Sequence, residues 1–171
     1  MDSKLILFSY NSRGFDSDKQ FICKYLVQLA GKNIPILCNQ ENFLLKANSY
    51  KVKKCLPDFH IFFKSAIKVN YDGRAKNGMF IAIPNSIIDS VVDVSPDFWR
   101  IQAIIIKSDN SNILVINSYF PQDPKTINFD DAELIEILKV ISSVIDNNVF
   151  SELIWCGDIN TNFVRKMGFV D

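Results

Sequence analysis

Histidine is nearly missing from this chain: His60 is the one example in 171 residues. The four cysteines, Cys23, Cys38, Cys55 and Cys156, are scattered without C-x-x-C spacing. Structural zinc sites draw on closely spaced Cys and His ligands, so these shortages argue against one. No apolar run approaches the ~20 residues that span a bilayer, so no membrane partner is expected. The short N-terminal stretch Leu5 to Phe8 is too brief for the core of a secretory signal and has no small-residue cleavage site behind it. The expectation is an intracellular protein, with nucleus and cytoplasm left undistinguished. Net charge is absent too, 19 basic residues offsetting 19 acidic ones. Phosphate neutralisation supplies most non-specific DNA binding. A stable DNA-binding module is therefore disfavoured, whereas an enzyme that engages DNA briefly through a local patch is not.

What is present fits one domain over residues 1–171, with 48% hydrophobic and 22% charged residues. Lys4 to Ser9 and Ile34 to Cys38 are continuous apolar runs of strand length, the pattern of strands covered on both faces. Between them, Asp16 or Ser17 caps a helix running to about Ala30, with Phe21, Ile22, Tyr25, Leu26 and Leu29 at three- and four-residue steps and Gly31 at its end. From Phe59 to Val115, apolar runs alternate with turn chemistry such as Asp72-Gly73 and Asp109-Asn110, predicting antiparallel hairpins. A second amphipathic helix is expected over Asp130 to Asp146, with Leu134, Ile135, Leu138, Ile141 and Ile145 on one face. Glu152 to Cys156 is a final strand. Cys38 and Cys156 fall within apolar runs and read as buried, reduced thiols. The fold class is α/β, with mixed sheets and outer helices.

Asn11, Glu41, Tyr119 and the pair Asp158 and Asn160 stand at the ends of these apolar strands. That rim is where α/β folds bind ligands. A carboxylate there can hold a hard cation such as Mg²⁺, a second can orient water, and amides and a phenol can bond phosphate oxygens. Taken singly, each has a plainer reading. Asn11 and Asp158 are ordinary turn residues, Glu41 caps a short helix beginning near Asn42, and Tyr119 is a strand-end aromatic.

Taken together, five segments in order resemble the endonuclease/exonuclease/phosphatase superfamily, especially endonucleases of the abasic-site and LINE-type retrotransposon kind. These are Phe8 to Gly14, ending its strand in Asn11; Ile36 to Glu41, ending in Gln-Glu; Asn77 to Ile83, a glycine-led strand; Val115 to Pro121, a Tyr-x-Pro motif; and Ile154 to Asn160, containing Gly-Asp-x-Asn. The resemblance implies an α/β sandwich of two sheets with helices outside, and a phosphodiesterase using Mg²⁺, or Mn²⁺ in its place. It implies that Glu41 is the metal ligand, Asn11 positions the phosphate and Tyr119 contacts it. Asp158 aligns or deprotonates the attacking water, and Asn160 steadies the transition state. DNA is the implied substrate, and a reverse transcriptase domain in a longer parent chain the implied neighbour. Arg13 stands where the abasic-site branch often carries an acid. The family pattern also continues through further strands to an Asp-His pair, placed by the resemblance beyond Asp171. His60 reads as a structural histidine and not as its substitute. Two other readings remain open: an inactive remnant or nucleic-acid-binding fragment, and a phosphoesterase of the inositol-phosphate or sphingomyelin type.

Overall fold

The computed structural model describes residues 4–68, 73, 75–108, 111–120 and 131–160. Its first sheet contains β1 (Leu5–Asn11), β2 (Ile34–Gln40), β3 (Phe59–Lys64) and β4 (Met79–Pro84), in the order β1-β2-β4-β3. The second contains β5 (Val91–Asp93), β6 (Ile101–Lys107), β7 (Asn112–Tyr119) and β8 (Glu152–Asp158), in that order. The pairs β1–β2 and β7–β8 are parallel, and the other four ladders are antiparallel. Parallel neighbours require a crossover; here α1 (Ser17–Ala30) joins β1 to β2 and α3 (Asp131–Asp146) lies between β7 and β8.

Apolar side chains form three layers. Ile36, Cys38, Ile81 and Ile83 of one sheet meet Ile104, Ile106 and Val115 of the other. On the outer face of the first sheet, Leu37, Phe80 and Ala82 are covered by α1 and by the short α2 (Tyr50–Cys55). On the outer face of the second, Ile101, Ala103, Leu114 and Ile116 lie under α3. Central strands covered on both faces explain the unbroken apolar runs, each fully buried aliphatic side chain contributing about 1.5–3 kcal/mol over an exposed one. β1 also meets apolar layers on both faces, Leu5 and Leu7 inward and Phe8 and Tyr10 outward. As an edge strand it remains only half-buried.

The helices form where expected but bury other faces. Asp16 caps α1, its carboxylate accepting from the Lys19 amide at 3.0 Å. Cys23, Leu26, Val27 and Ala30 face the sheet. Phe21, Tyr25 and Leu29 stay exposed, at 69%, 50% and 56%. The segment carries two apolar stripes, and the one with small residues lets the helix lie close. In α3 the buried set is Leu134, Ile137, Ile141 and Val144, while Ile135 and Leu138 are exposed. The antiparallel hairpins of the middle region are found, but they divide between the sheets, and the three-residue β5 had no sequence signal. Asp72, Asp109, Asn110, Pro121 and Asp130 lie outside the described residues. No helix among the described residues is long and apolar enough to cross a membrane.

Candidate active site

Strand alternation brings the polar residues together. Leu5 and Leu7 point into the space between the sheets, as do Ile113 and Val115 on β7 and Ile154 and Cys156 on β8. Continuing each strand in steps of two reaches Asn11, Tyr119 and Asp158. Parallel pairing aligns the ends: Asn11 is opposite Gln40, the residue before Glu41, and Tyr119 is opposite Asp158. The pattern that lines the inner core with aliphatics thus ends, at one rim, in an amide, a phenol and a carboxylate, and Glu41, one residue past the end of β2, adds a second carboxylate beside them.

These four side chains form one hydrogen-bonded group. Asn11 Nδ2 donates to Glu41 Oε2 at 2.8 Å and to Asp158 Oδ2 at 2.6 Å. Tyr119 Oη donates to Glu41 Oε1 at 2.7 Å. The Asn11 side-chain carbonyl accepts from the Arg13 amide at 3.0 Å, which fixes which way the amide faces. Burial, the bond to Glu41 and the charge of Glu41 push the Tyr119 phenol well above its ordinary value. It therefore stays protonated and acts as a donor.

Backbone geometry sets these positions. Glu41 has φ 53, in the left-handed region that non-glycine residues enter at a cost of about 1 kcal/mol or more. Its carbonyl accepts from the Gly14 amide at 2.7 Å, tying the loop after β1 to the end of β2. The next residues dock on the glycine-led start of β4, the Asn42 amide donating to the Gly78 carbonyl at 3.1 Å and the Phe43 amide to that of Asn77 at 2.9 Å. No helix begins at Asn42; the chain stays non-helical until a short 3-10 turn over Lys46–Asn48, so Glu41 is not a helix cap. At the other side, Gly157 has φ 135, and a Cβ there would lie 1.9 Å from the Ser118 carbonyl oxygen. Only glycine lets β8 approach β7 at the residue before Asp158.

Asn160 lies outside the four-residue group and donates to the Phe120 carbonyl at 2.9 Å. His60 is exposed on β3, opposite Ile83 and far along the sheet from Met79, which pairs with Gln40. Three further residues support the site without having been singled out from sequence. Gln40 Nε2 donates to Asn117 Oδ1 at 2.6 Å between the sheets. Arg100 is buried, lies 3.8 Å from the Trp99 ring centre and pairs with Glu133 at 2.6 Å. It also donates to the Tyr119 carbonyl at 3.4 Å, while the Tyr119 amide donates to the Arg100 carbonyl at 3.0 Å. An arginine immediately before an apolar strand was the available signal for it.

The donor set is all oxygen apart from the Asn11 amide nitrogen, and it carries two carboxylates. A hard divalent cation fits this chemistry, because it would offset two like charges now bridged by a single amide. Among the described residues no cluster of three or more His, Cys, Asp or Glu side chains forms a metal cage.

Neither a protein-family model nor a curated protein sequence matches the chain. Solved structures do. D. rerio TDP2 complexed with single-strand DNA product is 20% identical, with a TM-score of 0.63 over 97% of this chain and 64% of that one. The AP endonuclease LMAP from Leishmania major is 14% identical, with a TM-score of 0.59 over 90% and 54%. The endonuclease domain of TRAS1, a telomere-specific non-LTR retrotransposon, is 17% identical, with a TM-score of 0.58 over 92% and 61%. The chain spans less than two thirds of the length of each. The fold is of the endonuclease/exonuclease/phosphatase type.

Proposed function

We propose that this chain carries the reaction centre of a metal-dependent phosphodiesterase that cleaves DNA by water attack, of the retrotransposon-endonuclease kind. The observation that carries this reading is the Asn11 amide bridging Glu41 and Asp158, two carboxylates from opposite sheets. The likeness in fold to DNA-processing proteins supports the substrate class, and the TRAS1 endonuclease domain supports the retrotransposon assignment. In that assignment a longer parent protein joins this region to a reverse transcriptase.

Glu41 is the residue for Mg²⁺, with Mn²⁺ as the substitute. When bound, the ion supplies Lewis-acid stabilisation of negative charge on the phosphate. Asp158 orients the attacking water and accepts its proton. Asn11 turns its amide to a phosphate oxygen, and Tyr119, held protonated by burial and Glu41, donates a hydrogen bond to another. Asn160 stands on the turn after β8 and steadies the oxygens as negative charge grows.

Nicking of supercoiled plasmid by the purified chain in Mg²⁺ tests this, with Glu41→Ala, Asp158→Ala and EDTA beside it. The expected result is nicking lost in all three. A folded chain that does not nick, or nicking that persists in both variants, would falsify the assignment for this polypeptide.

A further inference from the structure

We propose that Cys55 and Cys23 form a thiol pair open to oxidation by hydrogen peroxide, with Cys55 attacking and Cys23 closing the disulfide. The pair lies outside the rim described above and needs no nuclease activity. Cys23 is on α1 and Cys55 ends α2, and both pack in the same buried cluster on the outer face of the first sheet. Cys55 Sγ also donates to the Gln20 carbonyl at 3.4 Å, and the Tyr10 hydroxyl is hydrogen-bonded to Cys23 Sγ.

Access distinguishes Cys55 from an inert buried thiol. Only 4% of its surface is exposed, yet it lines a cavity of about 480 Å³ between α1 and α2 and a second of about 240 Å³ beside it. Lys24, Lys51 and Lys54 line the larger cavity, with Asp16 as its one acid. Reactive cysteines occupy such electropositive, reachable places, because the thiolate is the nucleophile. The neighbouring Cys23 thiol, with help from the Lys24 charge, pulls the Cys55 thiol below its ordinary value against the effect of burial. Cys23 is fully buried and lines neither cavity, so Cys55 is the thiol that peroxide meets first.

The chemistry balances with peroxide as the two-electron oxidant. Cys55 sulfur attacks one peroxide oxygen, the O–O bond breaks, and the departing hydroxide takes the thiol proton as water, leaving a sulfenic acid. Cys23 sulfur then attacks Cys55 sulfur, the S–O bond breaks, and a second water leaves with the Cys23 proton. Both sulfurs are oxidised by one electron each, and the peroxide is reduced to two waters. The loop so closed contains β2 and Glu41.

The test is brief exposure of the folded chain to dilute hydrogen peroxide, followed by alkylation and peptide mapping by mass spectrometry. The expected product is a Cys23–Cys55 disulfide, formed roughly tenfold faster than any oxidation of Cys38 or Cys156. Cys23→Ala, which keeps a small apolar group at a fully buried position, should stop at a Cys55 sulfenic acid trapped by dimedone. Oxidation falling first on Cys156, which is more exposed than Cys55, overturns the proposal. So does a native chain whose Cys23 and Cys55 stay reduced until it is unfolded.

Discussion

The Tyr119 hydroxyl donates to Glu41 Oε1 at 2.7 Å, joining residues 78 positions apart on two different sheets. Tyr119→Phe keeps the ring and its packing and removes only this donor. Nicking should fall about 100-fold, the scale of losing one preorganised donor at a reacting centre. Stability should fall by only about 1–2 kcal/mol, the range for a hydrogen bond to a charged group. Plasmid nicking and urea denaturation of the same preparations check both halves, and a large stability loss would assign Tyr119 to the fold instead.

Two tyrosines, the buried Tyr119 and the half-buried Tyr10, set an alkaline limit. Burial raises Tyr10 and Tyr119 above the ordinary tyrosine value, each with help from a neighbour, Cys23 for Tyr10 and Glu41 for Tyr119. A raised value in the folded state means the fold holds these protons more tightly than the unfolded chain. Stability is therefore complete below about pH 10, the ordinary tyrosine value, and is lost as pH rises above it. Denaturation midpoints should hold from about pH 8 to 10 and decline above that, and the decline should be shallower in Tyr10→Phe. An unchanged slope in that variant would exclude Tyr10 as a source.

Asn11 separates two carboxylates that would otherwise repel. Asn11→Asp places a third beside them, so the variant should be less stable without divalent cation and gain more from it. A cation that binds only the folded state adds stability by mass action, about 2.7 kcal/mol at a hundredfold excess over Kd. Thermal melting with and without MgCl₂ measures this without any turnover. The Mg²⁺-dependent rise should be larger in Asn11→Asp than in the unaltered chain and absent in Glu41→Ala.

Gly157→Ala should be among the most damaging small substitutions. The added Cβ meets backbone rather than a movable side chain, 1.9 Å from the Ser118 oxygen, at φ 135. Parting β7 from β8 costs more than about 3 kcal/mol on the scale of strained backbone and lost pairing. Yield of folded chain and its denaturation midpoint provide the measurement; a near-neutral result would contradict the β7–β8 register.

Glu133→Gln removes the carboxylate paired with the buried Arg100 guanidinium. Burial, the largest influence, lowers the Arg100 value, and Glu133 opposes it. Because Glu133 is 35% exposed, the loss should be about 1–2 kcal/mol, less than for a fully buried pair. A cycle with Arg100→Met in denaturant isolates the pairwise part, and no coupling between the two changes would deny the bridge a stabilising role.

Much was legible before any coordinates. Apolar runs of strand length located β1, β2 and β8; β2, covered by a second sheet and by helices, shows no polar side, whereas β8 keeps Leu153 and Trp155 exposed on its outer face. Asn11, Glu41, Tyr119 and Asp158 were readable as strand-end polar residues, since an abrupt change from buried aliphatic to amide or carboxylate marks a rim. Helix faces were less legible. In α1, Phe21, Tyr25 and Leu29 make as regular a stripe as Cys23, Leu26, Val27 and Ala30, and only the sheet beneath selects the smaller one. Gln40, Asn117 and Arg100 gave little sign of their roles, because their partners are remote in sequence.

The sequence by itself therefore determined the longer strands, the two long helices and the chemistry available at the strand ends, because these follow from local periodicity and residue type. Tertiary structure decided what local pattern cannot encode. It chose which helix face is buried and how the hairpins divide between sheets. Packing of one sheet on the other brings Asn11 beside Asp158, 147 positions away, and the two join Glu41 in one hydrogen-bonded group. Asn160 braces the Phe120 carbonyl from the neighbouring turn. The reason is geometric: alternation fixes which way a side chain points along its own strand, whereas its neighbours across the sandwich depend on strand order and on the close approach that Gly157 permits.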